Sequence, residues 1–259
     1  MRRDIVSLAE QAEALRRLHS DPRPLVLPNA WDVASARLVV KAGFPVVATS
    51  SGAVAATLGY EDDDSMPVDE AFDVIARIAR SVSVPVTADV EAGYRLSPKD
   101  LVERLLEAGA VGCNLEDTDH HGDTDLLDAG ENAERLRAVR EAATEAGAEI
   151  VLNARVDVLR REGGRRDLFE EAVRRARLYL QAGADCVFPI RLADDELIGE
   201  FVRRVEGPVN VVAAGAPPLA RLAELGVARI SFAGSLVGQL YRVHETRLSE
   251  ITAEVAAIA

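Results

Sequence analysis

The chain has 259 residues, 48% of them hydrophobic, with 30 basic against 43 acidic side chains and a formal charge of −13. That balance excludes a nucleic-acid-binding surface and attraction to an anionic membrane, and no run reaches the roughly 18 apolar residues of a spanning helix. Its two cysteines, Cys113 and Cys186, lie inside apolar runs and read as small core residues of a reducing compartment, not as a disulfide.

Met1-Arg2-Arg3 is not followed by an apolar h-region, so no secretory signal is expected and a cytoplasmic location is the default. A helical segment at about 5–19 precedes the first strand. Short apolar runs near 25–29, 45–50, 84–90, 110–116, 148–155, 184–190, 208–213 and 228–233 then read as strands. Helical patterns near 31–42, 67–80, 98–108, 131–146, 166–182, 193–205, 216–225 and 235–258 alternate with them. Lys41-Ala42-Gly43, Glu107-Ala108-Gly109, Glu145-Ala146-Gly147, Gln181-Ala182-Gly183 and Glu224-Leu225-Gly226 mark the entries to strands. Glycine just past a helix end accepts the left-handed conformation that closes it. Repeated helix–Gly–strand punctuation predicts a βα array, and eight such units predict one α/β domain over 1–259, a (β/α)₈ TIM-type barrel.

Barrels of this kind carry their chemistry at the C-terminal ends of the strands. Polar groups cluster at ends two to five, while ends six to eight are nearly bare. Val86-Thr87-Ala88-Asp89-Val90-Glu91 and Cys113-Asn114-Leu115-Glu116 both run apolar and stop in carboxylates. Asp89 and Glu91 lie two apart and face the same way on an extended strand. Buried carboxylates cost desolvation unless paired or bound to a metal, and with Glu116 they suit a hard cation such as Mg²⁺. A helix cap or a salt bridge is the plainer account of each alone. Thr49-Ser50-Ser51-Gly52 is a small-residue turn that lets an anion approach the backbone, or an ordinary loop. Arg155 can hold a carboxylate or an oxyanion, with Asp157 as its orienting partner, unless the two form a structural pair. The acidic run Glu61-Asp62-Asp63-Asp64 could fold one member over the strand ends, and His120-His121 offers proton transfer near neutral pH.

Five blocks carry a resemblance. They are Leu27-Pro28-Asn29-Ala30-Trp31-Asp32, Thr49-Ser50-Ser51-Gly52 with Leu58-Gly59-Tyr60-Glu61-Asp62, Ala88-Asp89-Val90-Glu91-Ala92-Gly93-Tyr94, Asn114-Leu115-Glu116-Asp117 and Asn153-Ala154-Arg155-Val156-Asp157. Over nearly its full length the chain resembles the isocitrate lyase/phosphoenolpyruvate mutase superfamily. The resemblance implies a modified barrel whose last helix is exchanged with a neighbouring subunit, in a homotetramer built as a dimer of dimers. It implies Mg²⁺, or Mn²⁺ in its place, held partly through water by Asp62, Asp89, Glu91 and Glu116. It also implies a small carboxylate substrate resting on the turn at Ser50, Ser51 and Gly52; Thr49, Trp31 and Asn153 are further candidate substrate contacts. Arg155 is then the catalytic arginine at the reacting oxygens; apart from the resemblance, Tyr60 and His121 are the candidate proton-transfer groups.

The departures are informative. Lyases of the superfamily carry a Lys-Arg/Lys-Cys-Gly-His loop after strand four, where this chain has His120-His121-Gly122-Asp123. Their glutamate at the end of strand six is replaced by Ile190-Arg191, and their asparagine and threonine after strand seven by Val212-Ala213-Ala214. The metal half of the site is kept, and the half that recognises a tricarboxylate is not. The expectation is a Mg²⁺-dependent lyase that cleaves or decarboxylates a small 2-oxo or 2-hydroxy acid through a metal-stabilised enolate. A phosphonopyruvate-type P–C bond enzyme and a non-catalytic 2-oxo-acid-binding barrel stand as alternatives.

Overall fold

Pro28 has no N–H to give to a neighbouring strand and breaks the first strand in two. In the computed structural model, which describes residues 7–122, 124–161 and 165–258, β1 (Leu25–Leu27) pairs with β9 (Arg229–Ser231), whereas β2 (Asn29–Ala30) pairs with β3 (Val47–Thr49). The expected single strand 25–29 is therefore two half-strands that face different neighbours. From β3 the ladder runs through β4 (Val86–Asp89), β5 (Gly112–Glu116), β6 (Val151–Val156) and β7 (Cys186–Pro189). The parallel bridge between Val187 and Val209 leads on to β8 (Asn210–Val212), which pairs with β9. Every strand pairing in the ladders is parallel, and counting β1 and β2 as one strand closes the expected eight-stranded barrel.

Helix α1 (Leu8–Leu18) starts with a capping box between Ser7 and Glu10. It buries Ala12 and Leu15 against Leu25, Leu27, Val111 and Val151, which closes the N-terminal end of the barrel. The first six residues, on which the expected start of this helix falls, lie outside the described residues. Around the wall run α2 (Val33–Lys41), α3 (Ser51–Leu58), α4 (Val68–Ser81), α5 (Pro98–Ala108), α6 (Ala129–Glu145), α7 (Arg165–Gln181), α8 (Asp195–Val205) and α9 (Leu219–Glu224). The five punctuating glycines all adopt positive φ, between 70° and 103°, as the helix–Gly–strand repeat requires.

Helix α3 corrects the reading of residues after Thr49 as a turn and long loop. Ser-Gly-Ala-Val-Ala-Ala-Thr-Leu lacks amphipathic periodicity because Ser51, Ala53, Val54 and Ala55 are all buried, and a helix covered on most sides shows no polar face. The last helix, α10 (Ser235–Ala256), buries only Val237 along its 22 residues. Leu240, Val243, Leu248, Ile251 and Val255 stand exposed along it.

Register orders the barrel interior into levels. Asp89, Asn114, Asn153 and Cys186 are in register across β4 to β7, and Glu116, Arg155 and Phe188 form the level above. The lower level is a polar network in which Asn153 Nδ2 donates to Asn114 Oδ1 at 2.8 Å and to Asn210 Oδ1 at 3.0 Å. Arg229 Nη2 donates to the same Asn114 oxygen at 3.0 Å.

Candidate active site

The site is assembled where α3 begins. Ser50 caps the helix, with its side chain accepting from the Ala53 N–H, and the N–H groups of the first turn form the positive end of the helix dipole. Two carboxylates face it. A Cβ on Gly52 would lie 2.9 Å from Asp62 Oδ2, so only glycine lets that carboxylate lie against the helix start. Asp89 accepts from the Ser51 N–H, and its own N–H donates to Thr49 Oγ1 at 2.9 Å. The other oxygen, Asp89 Oδ1, is buried without a protein partner. Burial pushes the Asp89 carboxyl up to about 6; Arg155 opposes that rise, and the charges of Asp62 and Glu116 add to it.

Beyond β4 the backbone turns through Glu91, Gly93, Tyr94 and Arg95, all at positive φ, and Asp64 in the loop above is also left-handed. Three non-glycine residues in one turn store strain of about 1–2 kcal/mol each, held by surrounding bonds. Those bonds are reciprocal. The Asp64 N–H donates to Glu91 Oε2, Tyr94 OH donates to Glu91 Oε1 at 3.0 Å, and the Tyr94 N–H donates to Asp64 Oδ1 at 2.9 Å. Burial raises the Glu91 carboxyl to about 8, and the Asp62 and Asp89 charges push the same way.

Across the barrel mouth Glu116 lies between His120 Nε2 and the Arg155 guanidinium. Arg155 also makes a two-pronged pair with Asp157, Nε to Oδ1 at 2.8 Å and Nη2 to Oδ2 at 2.7 Å. Burial disfavours the charged guanidinium, yet Glu116 and Asp157 hold its pKa above the ordinary arginine value. For His120, burial is outweighed by its bond to Glu116, so the imidazolium persists above its usual range. Next to Glu116, Asp117 is a structural hub. It accepts from Tyr179 OH at 2.6 Å, Arg175 Nη1 at 2.8 Å and the Asp157 N–H at 2.8 Å.

Thr49, Ser50, Ser51 and Gly52 thus surround Asp62 and Asp89, and Arg155 stands opposite. Trp31 is half-buried beside the first strand, and the neighbouring Asp32 is the N-cap of α2. Tyr60 is directed away from the carboxylates, donating to Glu70 Oε1 at 2.9 Å on the exterior. Asn153 is fully buried one level beneath Arg155, bonded to other asparagines. His121 Nε2 lies 2.9 Å from Asp64 Oδ2, while His120 is the less exposed of the pair and touches Glu116. Asp123 of this loop lies outside the described residues. Tyr94, Asp64 and His120 received no individual role from sequence, since only the left-handed turn and the folded loop bring them to Glu91 and Glu116. Their signal was adjacency to the acidic strand ends. Both cysteines are buried in the core, where burial pushes their thiols up to about 12.

Among the described residues, no three Asp, Glu, His or Cys side chains gather closely enough to hold an ion by themselves. The oxygens of Glu91 and Glu116 already face donors. The donor set nevertheless suits a hard cation bound partly through water. Asp89 feels the charges of Asp62 and Glu116, Glu91 feels those of Asp62 and Asp89, and the buried Asp89 Oδ1 is aimed at no protein donor.

Fold and site define a (β/α)₈-barrel enzyme with acidic and arginine groups at adjoining strand exits. The phosphoenolpyruvate phosphomutase family model matches residues 15–252, and the chain belongs to that family within the isocitrate lyase/PEP mutase superfamily. The chain is 39% identical to a structurally determined protein of Burkholderia cenocepacia J2315 classed provisionally as a phosphonomutase, with a TM-score of 0.84, covering 93% of this chain and 99% of that one. It is 29% identical over 240 residues to the 2-methylisocitrate lyase of Escherichia coli K12, covering 88% of this chain and 79% of that protein. Phosphonopyruvate hydrolase in complex with oxalate and Mg²⁺ superposes with a TM-score of 0.84 at 25% identity, covering 94% and 87%.

Proposed function

We propose that the chain is a Mg²⁺-dependent lyase that breaks a C–C bond in a small 2-oxo or 2-hydroxy acid. The observation that carries this reading is Asp89, whose unpartnered buried oxygen lies in the field of Asp62 and Glu116. Asp62, Asp89, Glu91 and Glu116 would hold the cation, in part through water. When bound, it supplies positive charge to the substrate oxygens on which negative charge develops. The remaining work falls to the chain's own groups. The N–H groups and hydroxyls around Thr49, Ser50, Ser51 and Gly52 orient the substrate carboxylate at the positive end of α3. Arg155, fixed by Asp157, stabilises the developing oxyanion. His120 at Glu116, His121 at Asp64 and Tyr94 at Glu91 are the groups that can hold a proton at the carboxylate cluster. A homo-oligomer fits the exposed apolar face of α10.

Calorimetry with oxalate, pyruvate, oxaloacetate and 2-oxoglutarate, with and without Mg²⁺, followed by turnover assays on the ligands that bind, tests the reading. Asp89→Ala is expected to fold and to abolish Mg²⁺-dependent turnover, and full activity in that variant would sink the assignment. P–C bond cleavage is a second reading, favoured by the identity to the Burkholderia protein. Faster turnover of phosphonopyruvate than of any 2-oxo acid would select it.

A further inference from the structure

The upper interior of the barrel is divided into two chemically distinct halves. On β4 to β6 the inward positions are Asp89, Glu116 and Arg155. Phe188 on β7 is in register with Arg155 and so shares its inward face, which it fills with an apolar ring. On β8 and β9, Asn210 and Arg229 face inward and touch Ser231 and Asn114, so Val212 and Ser231, two residues on, face inward above them. The half of the mouth opposite the carboxylates is therefore lined by Phe188, Val212 and Ser231.

Among the described residues, no guanidinium or ammonium there is left to receive a second anionic group. Arg155, held by Glu116 and Asp157, is already assigned to the reacting oxygens. Arg229 lies a level lower, sealed at 1% exposure and bonded to Asn114. Arg191, at the β7 exit, lines an apolar cleft of about 220 Å³ with Leu159, Leu168, Phe169 and Leu192. Arg160 and Arg161 border an outer cleft of about 510 Å³ but pair with Asp157 and Asp125, and Asp119 adds a further negative charge.

This distribution restricts the chemistry. An enolate at C2–C3 of a 2-oxo acid forms when C3 loses a group that departs without the bonding electrons. A carboxylate departs as CO₂ and a phosphonate as a phosphoryl group, and both are anionic in the ground state. A carbinol departs as a neutral aldehyde. We propose, resting on the lyase reading above, that the substrate is a 4-hydroxy-2-oxo monocarboxylic acid with an uncharged, apolar far end, and that the reaction is a retro-aldol cleavage. The C4 hydroxyl gives its proton to a base of the site, C3–C4 breaks with its electron pair moving into the C2–C3 enolate, and C3 is reprotonated. The products are a 2-oxo acid and an aldehyde, with no oxidant or co-substrate required. The apolar half of the mouth holds the departing aldehyde's alkyl group.

Pyruvate release from 4-hydroxy-2-oxopentanoate, oxaloacetate and phosphonopyruvate, measured with Mg²⁺, decides the matter alongside oxalate calorimetry. The expected result is a kcat/KM for the hydroxy-oxo acid at least tenfold above either dianion. Val212→Arg is expected to reverse this order by strengthening oxaloacetate, and the wild-type comparison stands whether or not that variant folds. If Mg²⁺-oxalate binds while oxaloacetate or phosphonopyruvate is the better substrate, or the hydroxy-oxo acid is untouched, the inference is overturned alone. If Mg²⁺-oxalate does not bind, the lyase reading fails and takes the inference with it.

Discussion

Asp89 and Asp117 end neighbouring strands and are surrounded quite differently. Asp117 meets two charged or hydroxyl donors and a backbone N–H, which oppose but do not cancel the upward push of burial on its carboxyl. Asp117→Ala removes one of the two carboxylates that hold Arg175, leaving Glu171, and strips Tyr179 OH of its acceptor, and it is expected to cost about 1–3 kcal/mol in urea unfolding. Asp89→Ala removes a carboxylate with an unmatched oxygen, so its stability should change far less than that of Asp117→Ala. Sequence alone treats both as strand-end carboxylates, because what separates them is the set of donors from α7 and β6 that only the fold delivers. His19 offers a pH test away from the site. Its Nδ1 lies 2.9 Å from Leu15 O, and burial beside Arg229 holds its pKa down at about 4. A histidine depressed in the folded state leaves stability intact above its unfolded pKa and loses it as pH falls from about 6.5 toward 4, because only the unfolded chain takes up the proton. Between pH 7 and pH 5 this single group should cost about 2 kcal/mol, and His19→Asn should flatten that part of the profile.

Among the elements, α3 and the turn after β4 position the most chemistry. The Gly52 side of α3 admits Asp62 because no Cβ stands in the way. Gly52→Ala should leave the fold as stable or up to about 1 kcal/mol more stable, since alanine is the better helix former. Displacing the Asp62 carboxylate should at the same time weaken Mg²⁺ binding by tenfold or more in calorimetry; unchanged affinity would remove Asp62 from the ligand set. The helix itself was missed for the reason that makes it useful. Small residues on every side let it sink against the strands, which erases the periodicity that reveals helices. The other helices kept one polar face, and their glycine stops were legible one by one. Pro28 could be seen in the sequence, but the change of strand partner it produces depends on where β9 and β3 lie.

At the scale of the molecule, α10 is the element without a home. Val237 and Leu240, and further along Leu248, Ile251 and Val255, lie three or four residues apart, yet all but Val237 face solvent. An apolar stripe of that length is buried in a partner or becomes an aggregation liability. Leu248→Lys with Ile251→Lys is expected to convert an oligomer into a smaller species by light scattering while leaving the barrel's circular dichroism intact. An unaltered mass would show that this face does not hold subunits together.

The sequence by itself determined the barrel, since alternating apolar runs and left-handed glycines are local signals repeated often enough to be read. It also determined that strand exits two to five are polar and that six to eight are bare. Tertiary structure alone decided which polar residues meet. It paired His120 with Glu116 and Tyr94 with Glu91, turned Tyr60 outward to Glu70, and sank Asn153 beneath the mouth. These outcomes depend on strand register, on a turn with three left-handed non-glycine residues and on a folded loop. Each is set by contacts between segments tens of residues apart, which no local pattern encodes.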